Sequence, residues 1–334
     1  MSAPLSGIAV LEFEGLGPAP FAAMCLADLG ASVRRVTRPG SASKSPIDRS
    51  RDDVALDLKT DAGVEDARAL IAQADILIEG FRPGKMEQLG LGPQAAHAIN
   101  PRLVYGRMTG WGQTGPMAHL AGHDLNYLGL TGLLSMMGEP GRPPMPPLNL
   151  VADYGGGGMY LALGLVSALF SARIHGEGAV VDATMIHGAS HLATLFHGMA
   201  NGGRWRPERQ ANLLDGGAPF YRTYETADGR YLAVGSIEPQ FWRNALAVFG
   251  LPELFEMQMD RTQWPAQSQQ LASRIADKTL AEWVAAFDGV DACVSPVLTL
   301  GEAKEHPQMA PFFGETDEGK MPLAAPLIKP MQGS

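Results

Sequence analysis

Ile8-Ala9-Val10-Leu11-Glu12-Phe13-Glu14-Gly15-Leu16-Gly17-Pro18-Ala19-Pro20 is the stretch that decides the fold class. Residues 8–13 form a short apolar run closed by a glycine-rich turn, the pattern of a strand buried on both faces. Pro20 to Leu29 then carries apolar residues at helical spacing and stops at Gly30. Ala31 to Val36 reads as a second strand, 62–73 as a helix, and Asp75 to Glu79 and Leu103 to Met108 as further strands. Strands separated by helices predict an α/β fold with a Rossmann-like wound parallel sheet.

Outward from that core, Asp124 to Met136 reads as one helix and 153–173 as another, opened by Gly155-Gly156-Gly157-Gly158. Ala179 to Ala183 is a strand, followed by a third helix. Residues 201–219 are polar and glycine-rich and read as a linker. Tyr221 to Thr226 and Arg230 to Val234 flank Asp228-Gly229, a hairpin signal. Helices at 239–249 and 268–287 and an extended piece at Val294 to Leu298 complete a smaller α+β domain. The expected division is a large domain over 1–200, the linker, a small domain over 220–300, and a return segment over 301–334 that packs toward the large domain. The tail from 321, with Pro322, Pro326 and Pro330, reads as extended.

Composition removes several function classes. Hydrophobic residues make up 46% and charged residues 18% of the 334 residues, so bulk disorder is excluded. The formal charge of −9 argues against nucleic-acid binding, which needs a basic footprint. Two cysteines, Cys25 and Cys293, make neither a disulfide framework nor a zinc site. The longest apolar run, Met159 to Phe170, falls short of a membrane span and reads as a core helix. The N-terminus has no signal-peptide pattern and the last residues no peroxisomal signal, so the expected location is cytoplasmic.

A wound sheet binds ligands at the carboxyl ends of its strands. The dinucleotide fingerprint fails here: Pro20 stands where its third glycine belongs, and Arg34, Arg35 and Arg38 stand where a ribose-binding acid belongs. With Lys44, Arg49 and Arg51 these form a basic run on an acidic protein, opposed before Asp52 only by Asp48. The run suits either a solvated loop or a phosphorylated ligand such as an adenine nucleotide with an extra ribose phosphate. Among eight histidines, His123 differs by preceding Asp124 at a helix start, where free N–H groups can hold an oxyanion. Asp153 follows the apolar Leu148 to Ala152, and a carboxyl in such surroundings holds its proton toward neutral pH. Glu238 is a third candidate. Each of the three could instead be a helix cap. His187 and His191 have metal-pair spacing, but no nearby carboxylate completes a ligand set, so no metal site is expected.

Together these residues lie in motifs that resemble the family III coenzyme A transferase superfamily, and within it the alpha-methylacyl-CoA racemases. The segments are Pro4-Leu5-Ser6-Gly7, Gly17-Pro18 with Pro20, Arg38-Pro39, Asp57-Leu58-Lys59, Phe81-Arg82-Pro83-Gly84 and Gly110-Trp111-Gly112-Gln113-Thr114-Gly115-Pro116. They continue through Ala121 to Tyr127, Pro147 to Asp153, Asn212 to Pro219, Ile237 to Phe241 and Asp291 to Val297, so that about residues 4–312 are covered. The resemblance implies an interlocked homodimer with each active site formed between subunits. It implies an isomerase that interconverts (R)- and (S)-2-methylacyl-CoA thioesters by proton transfer through an enolate. His123 and Asp153 match the acid–base pair, and Glu238, from the small domain of the other subunit, matches the residue that orients the histidine. The backbone N–H of Asp124 is the candidate oxyanion donor. Arg38 matches a coenzyme A binder, as do Ala55, Leu56, Asp57 and Leu58, and Gly122, His123, Asp124, Leu125, Asn126 and Tyr127. No metal or organic cofactor is implied beyond the coenzyme A of the substrate.

Two other readings stand beside this one. A coenzyme A transferase on the same fold would use Asp153 as a nucleophile, and a noncatalytic nucleotide-binding protein would need neither His123 nor Asp153. Met136, Met137 and Met145 read either as core filling or as an adaptable surface for acyl chains. The loop over 39–52 and the C-terminal tail look shorter than in relatives.

Overall fold

The apolar runs of the first domain become the middle of a six-stranded parallel sheet in the computed structural model, which describes residues 3–41, 45–326 and 328. Strand β1 (Ala9–Phe13) leads through helix α1 (Pro18–Asp28) to β2 (Ser32–Thr37), and β3 (Arg51–Ala55) follows at the sheet edge. Then come α2 (Asp61–Ile71), β4 (Ile76–Glu79), α3 (Lys85–Gln88), α4 (Pro93–Ile99), β5 (Val104–Thr109) and α5 (Asp124–Thr131). A helix runs from Leu150 to His175; its first ten residues, Leu150–Met159, are π-helical and the rest is α6 (Tyr160–His175). β6 (Ala179–Thr184) and α7 (Met185–Leu192) close the unit. The strand order β3-β2-β1-β4-β5-β6 reverses direction between β1 and β4, where α/β sheets open a crevice for ligands. This is the wound sheet expected from the sequence. β4 and β5 are wholly buried, which is why they read as continuous apolar runs.

The edge strand β3 was invisible in the sequence because it is Arg-Asp-Asp-Val-Ala. Its register supplies the reason it pairs: Arg34 lies opposite Asp52 and Arg35 opposite Asp53. Arg35 forks onto Asp53 at 2.9 and 3.0 Å and reaches Asp48 at 2.8 Å. Arg51 meets Glu12 at 2.9 Å, both side chains almost fully buried, and Arg49 pairs with Asp28. Folding thus gives most of the basic run acidic partners: Arg35 and Arg51 pair with Asp53 and Glu12 in the sheet, and Arg49 with Asp28 at the end of α1. Lys44 lies outside the described residues.

The glycine run serves helix crossing. A Cβ on Gly188 would stand 1.8 Å from the Gly156 carbonyl oxygen, and one on Gly158 would stand 2.7 Å from the Phe21 ring. The bare backbone lets α7 and α1 press against the π-helical segment. The whole helix Leu150–His175 is long and apolar enough, by length and composition, to cross a bilayer, though Asp153 and Gly155 to Gly158 interrupt its apolar run. Within the fold Leu161, Leu165 and Leu169 are buried, while Leu163, Phe170 and Ile174 are exposed.

The chain divides into two compact units. The first holds the described residues up to Leu134, from Pro146 to Leu195 and from Glu315 onward. The second holds Ser135–Met145 and Phe196–Gly314. Arg209 explains why 135–145 belongs to the second, since its guanidinium donates to the carbonyls of Ser135, Glu139 and Arg142. The second unit contains α8 (Thr194–Asn201, which begins at the division), β7 (Tyr221–Glu225), β8 (Tyr231–Gly235) and α9 (Pro239–Phe249). α10 (Trp264–Ile275), α11 (Leu280–Ala286), β9 (Val294–Pro296) and α12 (Leu300–Glu305) follow. β7, β8 and β9 form an antiparallel sheet against a core built on Phe220, Trp242, Phe249 and Trp283.

Residues 201–219, expected as a linker, are part of this unit; Asn212 is fully buried and its side chain bonds Arg206 and Asp215. The expected helix 268–287 is two helices, separated by a capping box in which Thr279 and Glu282 bond reciprocally. The expected helix 124–136 likewise breaks at Gly132, φ 82°, into α5 and a 3₁₀ turn, Leu133–Met136. Of the return segment, 301–314 stays with the second unit. The strand Gly319–Pro322 belongs to the first, where Pro322 accepts a bond from Arg49. Pro330 and the end of the tail lie outside the described residues.

Gly188→Ala should lower unfolding free energy in urea by about 3 kcal/mol through overpacking. Gly198→Ala, whose Cβ meets nothing within 4 Å on exposed α8, should instead raise it by about 0.5–1 kcal/mol.

Candidate active site

A cleft of about 680 Å³ opens in the first unit at the carboxyl ends of β1 and β2. His123 and Asp153, thirty positions apart in the chain, both line it. His123 is the N-cap residue of α5, exposed, with its backbone N–H on Asn126 Oδ1 at 3.1 Å. Asp153 lies in the first turn of the π-helical segment. Gly17, φ 71°, precedes α1 and faces it; a Cβ there would stand 3.6 Å from the Asp153 carboxylate.

Asp124 joins the two helix starts. It is 4% exposed, and its Oδ2 accepts the backbone N–H groups of Ala152 and Asp153, each at 2.8 Å. Asp124 is thus a cap, though for the following helix rather than its own. As the first residue of α5 it also has a backbone N–H that helix geometry leaves free. The Asp153 carboxyl is held above its ordinary 3.8, first by burial and then by the Asp124 carboxylate; Asn149 and His123 act in the opposite sense. Tyr127 packs edge-to-face on Trp111 and donates to the Gly122 carbonyl at 2.6 Å. Burial pushes its hydroxyl up to about 12, so it remains a neutral donor.

Arg38 is exposed after β2 and makes no side-chain ion pair among the described residues. It and Glu14 line both this cleft and a second of about 520 Å³, which Leu56, Asp57 and Leu58 also line. Glu14 orders the Arg38 loop by accepting the Arg38 backbone N–H at 3.1 Å and the Ser41 hydroxyl.

The match to the family model described as CoA-transferase family III runs over residues 5–329. The chain belongs to CoA-transferase family III. It is 46% identical over 328 residues to the alpha-methylacyl-CoA racemase of Mus musculus, covering 97% of this chain and 86% of that protein. The alpha-methylacyl-CoA racemase of Homo sapiens is 45% identical over 329 residues, with the same coverage of both chains. Among solved structures, a CAIB/BAIF family protein from Brucella suis superposes with a TM-score of 0.82 at 24% identity, covering 98% of this chain and 93% of that one.

Against this family III fold, the residues singled out in the sequence separate into groups. Gly122, His123, Tyr127, Arg38 and Asp153 line the first cleft; Leu56, Asp57 and Leu58 line the second. Ala55, Leu125 and Asn126 are exposed and line neither, and Asp124 is buried behind the first. Glu238 is in the second unit at the N-cap of α9, exposed, without a side-chain cap bond. Met136, Met137 and Met145 belong to the second unit, whereas Met185 lines the cleft. The sequence reading missed Glu14, Asn149 and Tyr154 in the first cleft and Lys59 and Lys85 in the second. Asn149 and Lys59 stood inside quoted motifs; Lys85 had no signal beyond following Phe81-Arg82-Pro83-Gly84.

A raised carboxyl favours the protonated fold, so its stabilisation is complete below 3.8 and is lost as pH rises through the raised value. Asp153→Asn should therefore melt at a higher temperature than the parent protein at pH 8. The difference should close as the pH falls below 3.8.

Proposed function

We propose that this protein interconverts the (R) and (S) forms of 2-methylacyl-CoA thioesters by 1,1-proton transfer. The observation that carries the reading is the meeting of an imidazole, His123, and a carboxyl held above its ordinary 3.8, Asp153, in one cleft at the carboxyl ends of β1 and β2. Kinship at 46% identity with a protein named for that activity supports it.

Inverting a carbon alpha to a thioester requires a proton to leave one face and another to arrive at the opposite face. Neutral His123 takes the alpha proton of one hand, the C–H electron pair moves into an enolate, and protonated Asp153 delivers its proton to the other face. The reverse passage begins with ionised Asp153 and imidazolium. Either turnover leaves the two groups in each other's starting state, reset by exchange with water. The Asp124 N–H faces the enolate oxygen in this scheme, and such donors contribute roughly 3–4 kcal/mol. Arg38, Lys59 and Lys85 supply cations to the phosphates of coenzyme A, with Leu56, Asp57 and Leu58 alongside. The scheme calls for no metal or organic cofactor. A homodimer belongs to the proposal: Glu238 of the partner subunit would orient His123, and the exposed apolar face of α6 suits burial against a second copy.

Family membership also supports a transferase in which Asp153 attacks the thioester. A transferase needs the carboxylate nucleophile but not a histidine base, so the presence of His123 in the same cleft favours the racemase. The two are separated by incubating one enantiomer of a 2-methylacyl-CoA in deuterated water. The racemase incorporates deuterium at the alpha carbon and forms the opposite enantiomer. His123→Ala and Asp153→Ala should each lower exchange from the hand their side chain serves by about 10²–10⁴-fold. Arg38→Ala should chiefly raise KM. No deuterium uptake, with coenzyme A passing to an added free acid, would overturn the reading.

A further inference from the structure

We propose that the Asp124 side chain is a positioning group for the reaction, fixing the helix start that carries Asp153 at the cleft and setting the electrostatic surroundings of its carboxyl. The inference rests on the function proposed above. Its basis is geometric. A helix start leaves its first N–H groups without internal partners, and such donors stabilise a nearby anion. Here Asp153 sits in that first turn, yet two of the donors, Ala152 N–H and Asp153 N–H, point to Asp124 Oδ2 at 2.8 Å. Asp124 therefore does two things to its neighbour. It withdraws donors that would otherwise favour ionised Asp153, and it places a second negative charge behind it. Its other oxygen is buried and unpartnered, so the carboxylate is held for the sake of these two bonds rather than by a cationic partner.

The other groups around Asp153 do not duplicate this effect. His123 and Tyr127 face it from the α5 side, and Asn149 and Tyr154 from its own turn. Across the cleft stand Arg35 and Asp48, paired with each other, and Glu14 and Arg38. α1 brings Pro18 and Pro20 and α7 brings Met185, all uncharged. Asp182 of β6 and His187 and His191 of α7 line a separate groove with Tyr160. The like charge acting on Asp153 from within the protein comes from Asp124.

The test is Asp124→Asn, which keeps an oxygen for both N–H groups and removes the charge. Two readouts are used. The carboxyl carbon of Asp153 is titrated by ¹³C NMR in aspartate-labelled protein, its signal identified by its loss in Asp153→Asn. The pH profile of deuterium exchange is recorded from each enantiomer. The titration midpoint should fall by about one pH unit in Asp124→Asn, and the limb of each profile governed by Asp153 should move equally toward acid. A folded Asp124→Asn with an unmoved midpoint overturns the inference, as does lower turnover with unmoved limbs, the mark of a merely structural role. Asp124→Ala should lose exchange from both hands; if it does not fold, Asp124→Asn alone decides. The midpoint is read without substrate, so an enzyme that exchanges no deuterium would contradict the function and leave this test standing.

Discussion

Two helices begin at the same place, and a single carboxylate oxygen holds them together. Asp124 Oδ2, at 2.8 Å from each of two backbone N–H groups, ties the start of α5 to the start of the helix that carries Asp153. Without that tie, His123 and Asp153 would be positioned by separate segments with a long irregular connection between them. With it, their backbones are fixed against each other at the mouth of the sheet. The glycines at 156 and 188 make the arrangement possible from behind, because only bare backbone admits α7 so close to the π-helical turn. A helix wound with wider turns in its first ten residues is a strained choice, and such segments recur where function requires it.

Charge is distributed by the same economy. The arginines in and after β2 look in the sequence like a phosphate patch, yet Arg35 and Arg51 are paired within the sheet and Arg49 is paired with Asp28 of α1. They weld the edge strand and its loop to the core. Arg38 differs in being exposed, and it stands where the two clefts adjoin. A ligand with a reactive end and a phosphorylated end would place the first by His123 and Asp153 and the second by Leu56 to Lys59, passing Arg38 on the way.

Much of this was legible in the sequence, for reasons that differ by element. β1, β4 and β5 are buried on both faces, so burial wrote itself as apolar runs; β3 is an edge strand stabilised by cross-strand charge, and no periodicity marks it. The break in α5 at Gly132 and the Thr279 capping box were present as residue types but were overridden by apolar spacing that runs on through them. In the site, His123 and Asp153 stood out by composition of their surroundings. Asp124 reads in the sequence as a cap or first-turn acid of its own helix and as a backbone donor; nothing in one dimension shows that its carboxylate caps a helix beginning 26 residues later. Lys85 and Glu14 acquire meaning only when the strands are side by side.

The most direct measurement is a crystal structure of the protein with an acyl-CoA analogue whose alpha carbon is trigonal and planar. The account places the His123 ring and the Asp153 carboxyl on opposite faces of that carbon, each within about 3.5 Å. Both groups on one face, or the carbon bound outside their shared cleft, would contradict it.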